Sequence, residues 1–341
     1  MSFEFTFFLF QKSNIASKLI DDCQKRLGWK TKELIQVCPT RWNSEFEMIE
    51  RCVELRQALV LFCNEAEGLE TAPTPTDWLI AEELVPALKP LYTATIDLSF
   101  ETKSTISRVI PMTNQLLSLY EVDEDDYSTI GQLKKVIFNS IKTRLGKAEE
   151  TPVTAIATLI DPRYKDWAFC CGEEKIDAAK EMLRKETAEI NQENLDEPIE
   201  PESEHEDDDA EERPPPAKKS MVFGFLEEKK KALLSKKRKE SKKKNVVKSK
   251  IDIEIKEYFD LEPIDQDKDP FDWWIDEGQQ KFPNLFETAM KFLIITATSV
   301  PSERIFSTAG LVYVAKRSKL DPKTADMCIT LHKNLEESDL V

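Results

Sequence analysis

At 341 residues, 40% of them apolar and only 8 of them glycine, the chain is long enough for about two domains and suits packed helices better than a turn-rich β-sandwich. Its net charge of −16 argues against a nucleic-acid partner for the chain as a whole, but acidic and basic residues are segregated, so the sum conceals a cationic segment. Seven cysteines without paired spacing and two histidines, His205 and His332, cannot be assembled into a zinc finger, and no apolar run reaches the roughly 20 residues that span a bilayer.

In chain order, "MSFEFTFFLF" is aromatic but lacks the basic start and small-residue cleavage site of a signal peptide. It reads as a strand, or as part of a fold whose earlier portion is missing. In "NSEFEMIERCVELRQALVLFC" apolar residues from Phe46 to Cys63 recur every three or four positions, and Ser44 with Glu47 has capping-box spacing, which predicts an amphipathic helix. A second helix follows over 77–98 with Trp78, Leu84, Val85, Leu88, Leu91 and Tyr92 on one stripe, kinked or divided by Pro86 and Pro90. Two more are expected near 103–121 and 129–146. The cysteines lie mostly inside such patterns and read as buried free thiols of a reducing compartment.

"PVTAIATLIDPRYKDWAF" breaks the rhythm: β-branched residues alternate from Val153 to Ile160, suggesting a short strand or tight buried turn, or else an irregular helix end. Residues 193–216, "ENLDEPIEPESEHEDDDAEERPPP", hold too little apolar surface to offset the entropy of ordering and are expected to be disordered. The block after them carries three lysine-rich clusters, including Lys236, Lys237, Arg238 and Lys239. A nuclear localisation signal, a phosphate-backbone contact and a solvated linker all fit it. Beyond 251, aromatics at Phe271, Trp273, Trp274, Phe282 and Phe286 predict a core-forming helix pair. The chain then closes on a helix capped by Asp321 and Pro322, with Cys328, Leu331 and Leu335 on one stripe.

The chemistry is narrow. No glycine-rich phosphate loop, no Gly-x-Ser-x-Gly elbow and no His-Glu-x-x-His is present, and a histidine-based dyad would rest on His332 alone. The joints between segments hold Arg41-Trp42, Asp161, Trp167, Trp273-Trp274 and Glu303, the last in "SVPSERIFSTAG".

Three of these stretches, "CPTRWNSEFEMIER", "ATLIDPRYKD" and "WWIDEGQQKFPNL" through "SVPSERIFSTAGLVYVAKRSKLDPKTADMCITLHKNL", resemble the hAT family of DNA transposases and the proteins domesticated from them, many with BED-type zinc fingers. The resemblance implies a mainly α chain with an α/β remnant: an incomplete ribonuclease-H-like fold, a large all-helical insertion and a C-terminal helical dimerisation region. The expected division is 1–42 for the core remnant, 43–150 for the insertion, 151–192 for the return to the core, 193–250 for a disordered acidic then basic linker, and 251–341 for dimerisation.

In the family an Asp-Asp-Glu triad binds two magnesium or manganese ions, and the glutamate of its Ser-Glu-Arg motif is here Glu303. The aspartates belong upstream of the Arg-Trp element, where only 40 residues stand, and Asp21 and Asp22 lie in a helical, polar context. With one carboxylate of three, the two metals have no clamp. The expectation is a protein that is not an enzyme and has no cofactor, unless upstream sequence supplies the aspartates and with them an active transposase.

The resemblance further implies nuclear localisation and no membrane. Dimerisation, with itself or a related hAT-type protein, is assigned to Phe306, Leu311, Cys328, Leu331 and Leu335. Weakly sequence-specific DNA contact is assigned to Arg41, Trp42 and the 236–239 cluster, Trp42 stacking on a displaced base or merely anchoring its helix. Val300, Ile305 and Phe306 are expected to face the core. A helical adaptor that touches no DNA is the remaining reading.

Overall fold

The structure, a computed structural model, describes residues 14–38, 40–66, 72–122, 126, 128–196, 250–312 and 321–338. Within them the chain forms helices and no strand, divided into two compact units: residues 1–94 with 120–139, and residues 95–119 with 140–341. The boundaries expected at 42/43 and 150/151 do not coincide with that division. The aromatic segment 1–10, most of the acidic tract and the lysine clusters lie outside the described residues.

The first unit is built on α1 (Asn14–Arg26), α2 (Trp42–Glu54) and α3 (Arg56–Glu65), with the first part of α4 (Pro75–Leu98). Ala16, Ile20 and Cys23 of α1 share one core with Met48, Cys52, Leu55, Ala58, Leu59, Phe62 and Trp78. The spacing 52, 55, 59, 62 is the helical period read from the sequence, and it holds even though the chain breaks between α2 and α3 at Leu55. Helix α1 stops at Gly28, whose φ of 74° lies in the left-handed region, with Trp29 N donating to Gln24 O at 2.9 Å. The buried Gln24 amide then clasps the chain beyond the turn, donating to Lys32 O at 3.0 Å and accepting from Lys32 N at 2.8 Å.

Two readings need correction here. Ser44 is not an N-cap: α2 begins at Trp42, and the Ser44 hydroxyl reaches back, accepting from Cys38 N at 2.8 Å and donating to Arg41 O at 2.7 Å. Glu47 is engaged elsewhere, accepting from the Tyr92 hydroxyl at 2.7 Å. Helix α4 is neither divided at Pro86 and Pro90 nor seated on the expected stripe. Trp78, Ala81, Ala87 and Ala94 are its buried positions, while Leu84, Val85, Leu88, Leu91 and Tyr92 are half-buried. Alanines permit close approach of neighbouring backbone, which a count of large apolar residues overlooks.

The second unit surrounds α7 (Pro152–Ile160) with α5 (Val109–Leu119), α8 (Glu173–Asp196) and α12 (Pro283–Leu293). The alternation that suggested a strand from Val153 to Ile160 is a helix with Ala155 through Ile160 all buried. A helix enclosed on every side has no polar face, so its 3.6-residue period disappears from the sequence. Its threonines turn inward on the backbone: Thr158 Oγ1 donates to Thr154 O at 2.8 Å and to Ser107 O at 3.1 Å. Helix α8 runs on to Asp196, past the expected start of the linker.

The carboxyl end of α7 leaves carbonyls without intrahelical partners. Two aromatics meet this need, since Ile160 O accepts from the Tyr258 hydroxyl at 2.8 Å and from Trp274 Nε1 at 3.0 Å. Tyr258 belongs to α9 (Lys250–Asp260), and Trp274 opens a π-helical turn, Trp274–Gly278, between the short helices α10 (Pro270–Trp273) and α11 (Gln279–Lys281). The rings stack with centroids 5.4 Å apart. A Cβ on Gly278 would fall 2.3 Å from Trp274 Cε3, so only glycine lets the fully buried indole lie there. Gly278→Ala is expected to lower stability by about 1–3 kcal/mol through overpacking, read from urea unfolding followed by circular dichroism. An unchanged midpoint would remove Gly278 from this account.

Glu254 on α9 performs the equivalent service for α12. Its carboxylate accepts from Asn284 N at 3.0 Å and Leu285 N at 3.3 Å, the first orphan donors of that helix. Core side chains from α5, α7, α8, α9 and α12 then close over one another, with Ile110, Ala155, Leu159, Leu183, Tyr258, Leu285 and Leu293 at its centre.

Candidate functional site

Three sequence-identified places are geometrically distinct. The first, the Asp-Pro-Arg-Tyr-Lys box, is buried. Asp161 is fully enclosed and Arg163 is 2% exposed. The guanidinium donates from Nε to Asp161 Oδ1 at 2.9 Å and from Nη2 to Oδ2 at 2.7 Å, and Asp161 Oδ2 also accepts from Ser107 Oγ at 2.7 Å. Burial disfavours the Arg163 charge, and the Asp161 carboxylate more than restores it.

Lys165, also buried, has a φ of 50°, a costly conformation for a side-chain-bearing residue. Its ammonium compensates by donating to Tyr258 O at 2.7 Å and Leu261 O at 2.8 Å, carbonyls at the end of α9, and by lying 4.5 Å from the Tyr258 ring centroid. Such a box joins segments; Asp161 has no reach to solvent. Sequence reading missed Tyr258 and Lys165 as its partners because 93 residues separate them.

The second place is the Arg41-Trp42 element at the amino end of α2. Arg41 is extended, with φ −132° and ψ 103°, and exposed. Trp42 is 40% exposed and meets Phe46 edge-on at 6.5 Å; Phe46 in turn stacks on Tyr92 at 4.6 Å. One edge of the indole thus anchors the helix while much of the ring faces outward. Beside it, the Thr40 hydroxyl and then the Thr40 backbone hold the Cys38 thiol below the usual thiol range. The other cysteines divide: burial pushes Cys52 up to about 12, but Cys170 and Cys328 are exposed, contrary to the expectation of uniformly buried thiols.

The third place is the hairpin of α13 (Val300–Val312) and α14 (Pro322–Ser338), which pack on each other. Asp321 begins α14 as read, with Oδ2 accepting from Lys323 N at 3.1 Å. Glu303 sits in the first turn of α13, where negative charge is favoured; its Oε1 accepts from Ser299 Oγ at 2.8 Å and its amide donates to Ser299 O at 2.9 Å. Val300 is half-buried, but Ile305 and Phe306 do not face the core, Phe306 being 73% exposed. Met327 and Leu331, one turn apart on α14, are each 59% exposed, and Cys328 between them is exposed too. Leu311 and Leu335 lie on the two helices with side chains outside the described set. Lys236, Lys237, Arg238 and Lys239 lie outside it altogether.

A two-metal centre needs several convergent carboxylates. Among the described residues no group of three or more His, Cys, Asp or Glu side chains is placed to hold a metal ion, so the residues present do not fit that group. Nor, among the described residues, is any helix long and apolar enough to cross a membrane.

Comparison with known proteins places these elements. Residues 254–335 match the hAT family C-terminal dimerisation region, and residues 7–86 match the ZBED1 RNase-like helical domain. The chain is an hAT-derived protein. Among its relatives, human zinc finger BED domain-containing protein 4 is 28% identical over 183 residues, covering 53% of this chain and 15% of that protein. The putative transcriptional regulator tpeD of Talaromyces stipitatus is 31% identical over 94 residues, covering 28% of this chain and 11% of that protein. The chain therefore corresponds to a small part of the length of either hAT-type relative. The dimerisation match runs from α9 through most of α14 and so includes Trp274, Glu303 and the exposed apolar residues of the hairpin.

Proposed function

We propose that this hAT-derived chain is a catalytically inactive nuclear protein that pairs through its α13–α14 hairpin and holds DNA or chromatin, acting in transcriptional regulation. The observation that carries the reading is the apolar set Phe306, Met327 and Leu331, exposed on a helix pair within the matched dimerisation region. A second copy of the chain, or an hAT-type relative with the same face, would cover it. The outward ring of Trp42 beside exposed Arg41 supports a nucleic-acid contact, with the 236–239 cluster supplying non-specific attraction to phosphate. The printed name of the fungal relative supports the regulatory role.

Electrophoretic mobility tests the DNA arm. Trp42→Ala is expected to weaken binding to single-stranded DNA by about 1–3 kcal/mol, roughly five- to 150-fold, while far-ultraviolet circular dichroism stays unchanged. Deleting residues 229–250 is expected to flatten the salt dependence. Equal retention of all three proteins at two salt concentrations would leave the helical-adaptor reading.

The second reading is part of an active transposase, favoured by the position of Glu303 at a helix start. Incubation with a nicked or flanked DNA end and magnesium or manganese decides it. The proposal expects no cleavage or strand-transfer product, and any product abolished by Glu303→Gln would establish the enzyme.

A further inference from the structure

The box at 161–165 has an unexplained side. Tyr164 is fully enclosed, yet its hydroxyl has no hydrogen-bond partner among the described residues. Neither have Arg108 Nε, where the 3-10 turn Ile106–Arg108 runs into α5, nor Asp97 Oδ2, in the last turn of α4. These three are neighbours: Arg108 and Asp97 both act electrostatically on the Tyr164 hydroxyl, and Arg108 acts on the Asp97 carboxylate. Burial, opposed by Arg108 and Lys103, raises the Asp97 carboxyl above its usual range.

Native proteins rarely leave even one such atom unmatched, and three of complementary character facing one another have a common physical explanation. Two are donors or donor-acceptors and one is an acceptor. They come from three segments that meet without direct hydrogen bonds between these atoms.

We propose that Tyr164, Arg108 and Asp97 form an internal water site, in which a bound water accepts from Arg108 Nε, donates to Asp97 Oδ2 and exchanges a hydrogen bond with the Tyr164 hydroxyl. A buried water takes about three polar partners, which this cluster supplies. The site ties the end of α4 and the start of α5 to the Pro-Arg-Tyr-Lys turn. It also lies beside the seat of the dimerising hairpin, because Thr298 Oγ1 donates to Leu98 O at 3.3 Å and Ala297 N donates to Thr105 Oγ1 at 2.9 Å, just before α13 begins. A second orphan pair, Gln115 Oε1 and Trp167 Nε1, borders the same region, since Asn114 Nδ2 donates to Ala168 O at 3.0 Å.

A crystal structure of the full chain at a resolution that orders solvent tests the site. The expected result is a water within about 2.7–3.2 Å of Tyr164 Oη and of Arg108 Nε or Asp97 Oδ2. Direct contact among these side chains, or a protein group from another segment in that place, would overturn it. Independently, Tyr164→Phe keeps the ring over the Arg163 guanidinium and removes only the hydroxyl. It is expected to lower the melting temperature by about 2–4 °C; an unchanged or raised value would mean the hydroxyl has no partner to lose.

Discussion

Asp161→Ala will destabilise the second unit by about 3–5 kcal/mol, because it strands the Arg163 guanidinium in the core without its partner. The carboxylate accepts from Arg163 Nε at 2.9 Å, Arg163 Nη2 at 2.7 Å, Arg163 N at 2.9 Å and Ser107 Oγ at 2.7 Å. A buried pair need not stabilise relative to apolar residues of the same shape, so the double change Asp161→Leu with Arg163→Met should recover most of the loss. Urea unfolding of the two variants, with the slope checked for two-state behaviour, reads the difference. A loss below about 1 kcal/mol in Asp161→Ala would place the pair among exposed ion pairs and contradict its burial.

Phe306→Asp combined with Leu331→Asp should weaken self-association by at least about a hundredfold, an amount that truncating two central interface residues typically produces. Phe306 is 73% and Leu331 59% exposed within one chain, so neither change opens a core, and the helical content should persist. Charges placed in an apolar contact are costly only if the contact forms. Sedimentation at several concentrations separates the outcomes: a shift toward monomer at unchanged circular dichroism supports the face, while unaltered association moves the interface elsewhere.

The sequence made the amphipathic helices legible because one face of each meets water. From Phe46 to Phe62 the period is visible, and it recurs in the buried set. The Asp321 start of α14 was legible for a local reason, since a cap needs only its own helix. Helix α7 was not, because burial on all sides removed the polar half of its pattern and its β-branched residues imitated a strand. Ser44 followed the capping-box spacing but was claimed by the turn at Cys38.

The candidate site divided in the same way. Arg41-Trp42, the Asp161 box and Glu303 stood out as charge or aromaticity placed against apolar runs. What each does depended on partners far along the chain: Tyr258 and Leu261 for Lys165, Ser107 for Asp161. The reversal at Phe306, expected inward and found outward, has a simple origin. An apolar residue on a short helix points toward something, and sequence periodicity does not distinguish the chain's own core from the face of a second copy.

The central claim, that the hairpin joins two copies, is tested most directly by the mass of the unaltered full chain in solution. Size-exclusion chromatography with light scattering at micromolar concentration should return twice the mass of one chain, falling to one in the Phe306→Asp and Leu331→Asp variant. A single-chain mass for the unaltered protein across that range would contradict the account.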